Sequence, residues 1–396
     1  MSRLEELIQE FCPDGVEYKK IKQSYKRLKG TPITAGKMKE IENPNGEIRI
    51  FAGGKTVINA VEKDIPQANI TRVPAVLVQS RGVIDAIYYE EPFTFKNEMW
   101  AYTSDSAIAV KYLYYVLKSN ILHFREAASG MGSLPQISLR VTEDFFIPIP
   151  PLPVQEEIVR ILDNFTQLTA ELTAELTAEL TARKKQYEFY RDFIIGFSND
   201  VPMVKLSDIA VDMYRGSGIK RNEVTVDGTP CVRYGEIYTT YNIWFDSCVS
   251  NTHKGNKTFN HGDILFAITG ESVEDIAKSC AYVGHDTCFA GGDIVVMKHN
   301  QNPKYIAYAL STTDARVQKS KGKIKSKVVH SSIPALKEIQ IPLPSIDEQA
   351  RIVSILDRFD TLCNDLSSGL PAEIEARQKQ YEYYRDKLLT FKEVES

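Results

Sequence analysis

The chain has 396 residues, of which 43% are apolar and 25% charged, with a formal net charge of −4. That length exceeds one ordinary core, so two or more domains are expected, and no apolar run reaches the ~18 residues of a membrane helix. A free-standing nucleic-acid binder is usually basic, so the acidic balance counts against one.

In chain order, "MSRLEELIQEF" (1–11) is charged and amphipathic, not a secretory signal. "PDGVEYK" (13–19) superficially matches a nuclease Pro-Asp…Glu-x-Lys set. Its two acids stand only three residues apart, so a turn at Asp14-Gly15 is the expectation. "YKKIKQSYKRLKG" (18–30) is the first of two lysine-rich runs; "KSKGKIKSK" (319–327) is the second. Either run alone is ordinary solvated surface, but one in each half points to phosphate contacts. "VPAVLVQSRG" (73–82) reads as a buried strand ending at glycine, and "KYLYYVLKSNIL" (111–122) as a short helix. "IPIPPLP" (147–153) reads as a stiff linker, because proline lacks the N–H and fixes φ.

A helix is expected from about Val154. Its apolar residues at 158, 161, 165, 168 and 172 step by three and four, a coiled-coil seam. Thr-Ala-Glu-Leu is then repeated in "LTAELTAELTAEL" (168–180), which continues the apolar spacing at every fourth residue. A four-residue insertion locally unwinds a supercoil without destroying it. "RKKQYEFYRDFIIGF" (183–197) follows.

The second half repeats this order. "GDILFAITGES" (262–272) is a strand, "KYIAYALSTTDARV" (304–317) a short helix, and "IPLPS" (341–345) a linker. The helix from Ile346 is expected to break or restart near "SSGLP" (367–371), at Gly369 and Pro371. Residues 147–197 and 341–391 align at an offset of 194 with no gap and 25 of 51 positions identical. Residues 1–146 and 198–340 show little mutual identity. The chain is therefore a duplication, read as 1–146 globular, 147–198 helical, 199–340 globular and 341–396 helical. The expected fold is α+β: two mixed α/β domains separated by long helices that pair as an antiparallel coiled coil, with an internal pseudo-two-fold repeat. The two globular domains are then expected at opposite ends of a rod.

Chemistry of its own is scarce. The pairs Asn43-Pro44 and Asn302-Pro303 are followed by Asn45 and Lys304, not by the Pro-aromatic of an amino-methyltransferase, and no GxxxxGK[ST] loop occurs. Six cysteines (Cys12, Cys231, Cys248, Cys280, Cys288, Cys363) lack CxxC spacing, which points to a reduced, cytoplasmic protein without a zinc knuckle. "HKGNKTFNH" (253–261) reads as a polar loop, and Ser80-Arg81-Gly82 has no visible base to make a nucleophile.

Two dissimilar halves, each closed by "IPLP…Q…I…LD.F" and then "R.KQYE.YRD….F", resemble the specificity (S) subunit of Type I restriction–modification systems. The segments "GTP" (30–32), "SRG" (80–82), "VRYGEIYT" (232–239) and "GDIL" (262–265) are similar to that family as well. The resemblance implies that each globular part is a target recognition domain reading one half of a split double-stranded DNA sequence. The helices set the half-site distance and bind two methyltransferase subunits, which carry S-adenosylmethionine. A separate ATP-driven restriction subunit cuts DNA. This chain itself is expected to be non-catalytic, with no cofactor and no metal. A coiled-coil scaffold whose globular domains bind protein is the alternative.

Phosphates call for Lys and Arg, and base edges for Arg, Lys, Asn, Gln, Ser or Thr. The candidate DNA contacts in the first domain are Lys37, Lys39, Gln79, Ser80, Arg81, Lys96 and Asn97. In the second they are Arg215, Lys220, Arg221, Arg233, Tyr234, Tyr241, Asn242, Lys254 and Lys257, with Lys323 and Lys325 on phosphate. Tyr187, Tyr190, Arg191, Tyr381, Tyr384 and Arg385 are candidate partner contacts, the tyrosines also fitting the coiled-coil seam.

Overall fold

A computed structural model describes residues 2–54, 56–129, 134–196, 201–270, 276–320, 323–325, 328–364 and 370–394. The chain forms two compact units, Met1–Glu175 with Ile374–Ser396, and Leu176–Glu373. Each unit thus takes the start of one helical segment and the end of the other.

In the first unit a four-stranded antiparallel sheet runs in the order Lys26–Leu28, Trp100–Thr103, Ala75–Gln79, Asp85–Tyr89. A second sheet places Ile48–Phe51 between Val57–Ala60, antiparallel, and Phe93–Phe95, parallel. The second unit repeats both orders. Ala210–Arg215, Ile294–His299, Ile264–Ala267 and Ser279–Tyr282 are again all antiparallel. Thr229–Val232 again lies between an antiparallel neighbour, Ser250–Thr252, and a parallel one, Cys288–Ala290. The second unit adds Trp244–Phe245 to the first sheet, and Val224–Thr225 and Thr258–Phe259 to the second. Two domains of little mutual sequence identity therefore share one topology. The apolar runs expected as strands, Ala75–Gln79 and Ile264–Ala267, are buried at every position.

One glycine position recurs for a steric reason. Where the first strand crosses to the second sheet, a Cβ on Gly30 would lie 2.6 Å from the Phe95 carbonyl oxygen. A Cβ on Gly216 would lie 2.2 Å from that of Gly291. The following residues, Thr31 and Ser217, donate their backbone N–H to the carbonyls of Phe95 (2.6 Å) and Ala290 (2.9 Å). The close approach makes that bond possible and leaves no room for a side chain.

The proline segments differ from expectation. Phe146–Ile149 pairs antiparallel with Glu17–Lys20, and Gln340–Pro342 with Met203–Lys205. Both are two-stranded sheets, so every strand is an edge, where proline's missing donor is tolerated. The turn at Asp14-Gly15 forms as expected, with Gly15 at φ +118°.

Leu152–Gly196 is a single helix of 45 residues that carries the whole TAEL tract. Its copy comprises Ile346–Asn364 and Leu370–Leu388. The expected break at 367–371 falls partly on 365–369, outside the described residues, as does Phe197. Val154, Ile158, Val159 and Leu162 sink into the first unit's core, and Ile352, Val353 and Leu356, the copies of the last three, into the second's. The stripe facing the globular core is what the helix buries most. The expected seam position Leu168 is 60% exposed, and Leu172, Leu176 and Leu180 are half-buried. The seam itself is aromatic and antiparallel within each unit. Phe165 meets Tyr384 edge-on at 6.2 Å in the first, and Tyr190 stacks on Phe359 at 6.0 Å in the second. Phe165 and Phe359 are copies of each other, as are Tyr190 and Tyr384. The two contacts are one contact made once in each unit with roles exchanged.

The C-terminal residues close the first unit. The Val16 N–H donates to the Lys392 carbonyl (2.8 Å), the Val394 N–H to the Val16 carbonyl (3.1 Å), and the Tyr18 hydroxyl to the Phe391 carbonyl (3.0 Å). Among the described residues no helix is long and apolar enough to cross a membrane.

Candidate nucleic-acid interface

Most of the first domain's candidates lie on two loops, one after the first-sheet strand Ala75–Gln79 and one after the second-sheet strand Phe93–Phe95. Arg81 is exposed beside Gly82, and its carbonyl accepts the Gly54 N–H at 3.2 Å. Lys96 and Asn97 sit on the turn between Phe93–Phe95 and Trp100–Thr103, with Asn97 exposed. Lys96 pairs with Glu98 at 2.9 Å. Partial burial pushes the Glu98 carboxyl up, but the Lys96 ammonium and backbone N–H groups outweigh it and hold the pKa below the usual value. Gln79 and Ser80 are buried beneath these loops. Gln79 Nε2 donates to the Gly54 carbonyl (2.6 Å) and the Ser80 hydroxyl to the Glu98 carbonyl. They brace the loops and do not face solvent. Lys37 and Lys39 lie apart on the helix Ala35–Ile41, both exposed, with Lys37 paired to Glu40 at 2.9 Å.

In the second domain the loop after Cys288–Ala290, counterpart of the Lys96–Asn97 turn, borders the site, and the candidate side chains come from the loops after Ala210–Arg215 and Thr229–Val232. Gly218, Arg221, Arg233, Tyr234, Gly292 and Asp293 border an open pocket of about 680 Å³. Arg215 reaches its rim by donating to the Gly292 carbonyl and the Asp293 carboxylate. The Arg233 guanidinium is half-buried and held by Glu236 Oε1 at 2.9 and 3.0 Å, and Glu236 also accepts the Ser250 hydroxyl at 2.7 Å. A guanidinium fixed in this way is pre-oriented for a second acceptor. Tyr234 is 41% exposed beside it. Exposed Lys220, Lys254 and Lys257 flank the group. Lys254 pairs with Glu223 at 3.1 Å, and Lys257 lies 5.8 Å above the Tyr214 ring. The Lys220 N–H, then the Lys254 ammonium, hold the Glu223 carboxyl below the usual range.

Two candidates fall elsewhere. Tyr241 is buried, stacked on Phe245 at 4.1 Å, with its hydroxyl accepting the Val249 N–H at 3.0 Å. Exposed Asn242 borders a separate pocket of about 480 Å³ with Tyr187 and Arg191. Lys323 and Lys325 lie on the strand Lys323–Lys325, but their side chains are outside the described residues. Of the same lysine run, Lys319 is buried, donating to Ser279 Oγ (3.0 Å) and the Leu310 carbonyl (2.8 Å). Burial pushes its pKa down to about 7. The N-terminal basic run is largely matched by acids. Lys20 and Lys22 share Asp144 (3.3 and 2.7 Å), Arg27 meets Glu143 (3.3 Å) and Lys19 meets Glu17 (2.8 Å).

The candidate partner contacts are copies used alike. Arg191 and Arg385 each bond the next residue, Asp192 (2.7 Å) and Asp386 (2.8 Å), and each lies 5.9 Å from the ring four residues before, Tyr187 and Tyr381. Arg191 is 1% exposed, whereas Tyr190 and Tyr384 are 38% and 42% exposed. More exposed still are Phe189 (65%), Phe193 (48%) and Tyr383 (64%), which the coiled-coil periodicity passed over because they lie off the seam. On the loops, the glycine pairs were the missed signal. Phe-Ala-Gly-Gly occurs at 51–54 and again at 289–292, and both glycine pairs sit at the candidate surface.

The family model for the Type I restriction modification DNA specificity domain matches twice, over residues 13–182 and 199–376. The EcoR124I/EcoR124II specificity subunit of Escherichia coli is 33% identical over 304 residues, covering 74% of this chain and 73% of that protein. A protein named as a type I restriction enzyme specificity subunit in Haemophilus influenzae is 32% identical over 308 residues, covering 76% and 77%. A chain solved for complex assembly and conformational transition of the type I R-M system matches with a TM-score of 0.67 at 14% identity, covering 95% and 98%. At that identity the likeness shows the fold. Two matched domains on one topology, each closed by a copy of the same helical segment, place this chain in the Type I restriction–modification DNA specificity family.

Proposed function

We propose that this chain is the non-catalytic subunit that reads a bipartite DNA target for a cytoplasmic Type I restriction–modification complex. Recognition domains 1–146 and 199–340 each read one half-site, and the helical segments 147–198 and 341–396 set the gap. The observation that carries this reading is that each of two domains of one topology gathers candidate contacts on its loops: Arg81, Lys96 and Asn97 in one, and Arg215, Arg221, Arg233 and Tyr234 around an open pocket in the other. Direct readout of major-groove edges falls to those residues, with Lys37, Lys39, Lys220, Lys254, Lys257, Lys323 and Lys325 on phosphates. Gln79 and Ser80 act by bracing. The exposed aromatics Phe189, Tyr190 and Phe193, and Tyr383 and Tyr384, are docking positions for two methyltransferase subunits, which bring S-adenosylmethionine. The ATP-driven restriction subunit joins through them. A chain of net charge −4 suits a protein that holds DNA only as part of such an assembly.

Mapping methylated adenines in the host genome tests this. A split motif with a fixed gap is expected, and an unbroken short motif would refute it. Co-purification of the chain with a methyltransferase tests the recruiting role, which fails if none is recovered.

A further inference from the structure

In each unit an aspartate of one helical segment meets a recognition-domain helix, and an aspartate of the other segment meets that helix's C-terminal residue or the start of the helix that follows it. In the first unit Lys111 and Tyr115 stand one turn apart on the helix Ala107–Ser119 and both meet Asp163. The ammonium lies 2.8 Å from Oδ2, and the phenol donates to Oδ1 at 2.6 Å. At the end of the same helix the Ser119 hydroxyl donates to Asp386 Oδ1 at 2.7 Å. In the second unit Lys304 and Tyr308 repeat the pattern on Asp357, both at 2.7 Å, joined by Trp244 Nε1 at 3.3 Å. There the Thr313 N–H donates to Asp192 Oδ2 at 3.2 Å. Asp163 and Asp357 are copies, and so are Asp192 and Asp386. Lys111 and Tyr115 correspond to Lys304 and Tyr308 at an offset of 193, one residue out of step with the gapless block. The joint has therefore been kept across a length change, while neighbours on the same helices differ, Tyr114 against Ala307 and Lys118 against Ser311.

Magnitude argues against stability as its main purpose. The side chains are part-exposed, 31% and 36% for Lys111 and Asp163, 23% and 29% for Lys304 and Asp357. Ion pairs so exposed contribute on the order of 0–1 kcal/mol. What a carboxylate with a donor on each oxygen does supply is direction. Lys111 and Tyr115 fix the roll of the domain about Asp163, and the second aspartate fixes it against the partner helix. We propose that Asp163, Asp386, Asp357 and Asp192 are positioning residues that set how each recognition domain is presented to DNA, and hence how strictly the half-site gap is kept, without touching DNA. This rests on the split-target reading above.

The test maps methylated sites in a host carrying the full modification complex, with the wild-type chain, Asp163→Asn, Asp357→Asn and the double variant. Asparagine keeps the size and loses the charge. Expected are unchanged half-sites, methylation at the native gap reduced about tenfold, and new methylation at gaps one base pair longer or shorter. Asp357→Glu should restore the strict gap. A strict gap at wild-type level in the double variant overturns the proposal. So does a loss that is equal at every gap and follows a lowered melting temperature, because that is a stability effect alone. The wild-type arm reports the underlying reading by itself: an unbroken wild-type motif removes both, whereas a split wild-type motif with indifferent variants removes only the joint.

Discussion

Glycine at positions 30 and 216 is required by backbone, not by a ligand. A Cβ at either site would sit within 2.6 Å of a carbonyl oxygen that the sheet holds in place. Overpacking of this kind costs roughly 1–3 kcal/mol. Gly216→Ala is expected to lower the unfolding free energy of the second unit by that amount, measured by urea titration, while a control at Gly218, where a Cβ meets nothing within 4 Å, changes it little. His299 makes a second residue-level case. Its ring is half-buried, with Nε2 shut off from solvent and Nδ1 accepting the Gln301 N–H at 3.0 Å. Burial, only partly opposed by Asp263, pushes its pKa from 6.5 down to about 4. The folded form disfavours the imidazolium, so stability held above pH 6.5 is lost as pH falls towards 4. At 1.36 kcal/mol per pKa unit the loss reaches at most about 3 kcal/mol. His299→Gln should flatten the stability profile between pH 6.5 and 4; an unchanged slope would mean that other groups carry the acid sensitivity.

Among the elements, the helical segments were legible because their period and their identity over 51 positions are both local in sequence. What they bury was less legible. The three-four spacing named Leu168 as seam, yet it is 60% exposed, while Val159, off that spacing, is 3% exposed. The helix packs its widest stripe against the domain it follows, and only tertiary context supplies that face. The shared topology of the recognition domains was illegible for a related reason. Strand order is set by pairing partners far apart in sequence, and buried apolar strands accept many sequences. Of the candidate interface, charge and the strand-ending Ser80-Arg81-Gly82 found part of the loops, and the repeated glycine pairs were passed over. Side-chain orientation, which buries Gln79, Ser80 and Tyr241, could not be read from residue type. The C-terminal segment offers an element-level prediction. Deleting residues 389–396 removes buried Leu389 and the bonds of Lys392 and Val394 to Val16. Losing a buried leucine alone costs about 2–5 kcal/mol, so the first unit should melt earlier and the second should be spared. Equal losses in both units, followed by hydrogen exchange, would count against the division into two units.

At the scale of the molecule, the TAEL tract lies between Asp163 and Asp192, the residues on the long helix that bond the first and second recognition domains. Those two aspartates are 29 residues apart, and so are Asp357 and Asp386 on the copy. One further Thr-Ala-Glu-Leu unit would add ~6 Å and a rotation of ~40° beyond a full turn. A base pair of DNA adds ~3.4 Å and about 35° of twist. Rotation therefore matches one pair to within roughly 5°, whereas two pairs would leave a misfit of about 30°. The axial excess over one pair, about 3 Å, is within the reach of lysine and arginine side chains on phosphates, but a 30° misrotation turns whole loops out of the groove. Inserting one unit after Leu180 should lengthen the gap of the methylated motif by one base pair, and deleting one should shorten it by one. Both half-sites should stay unchanged, because every candidate base contact lies outside the tract. Methylome sequencing of the two variants reads this directly. A retained gap would mean that the paired segments absorb the extra turn, and the helix would then be a connector and not a ruler.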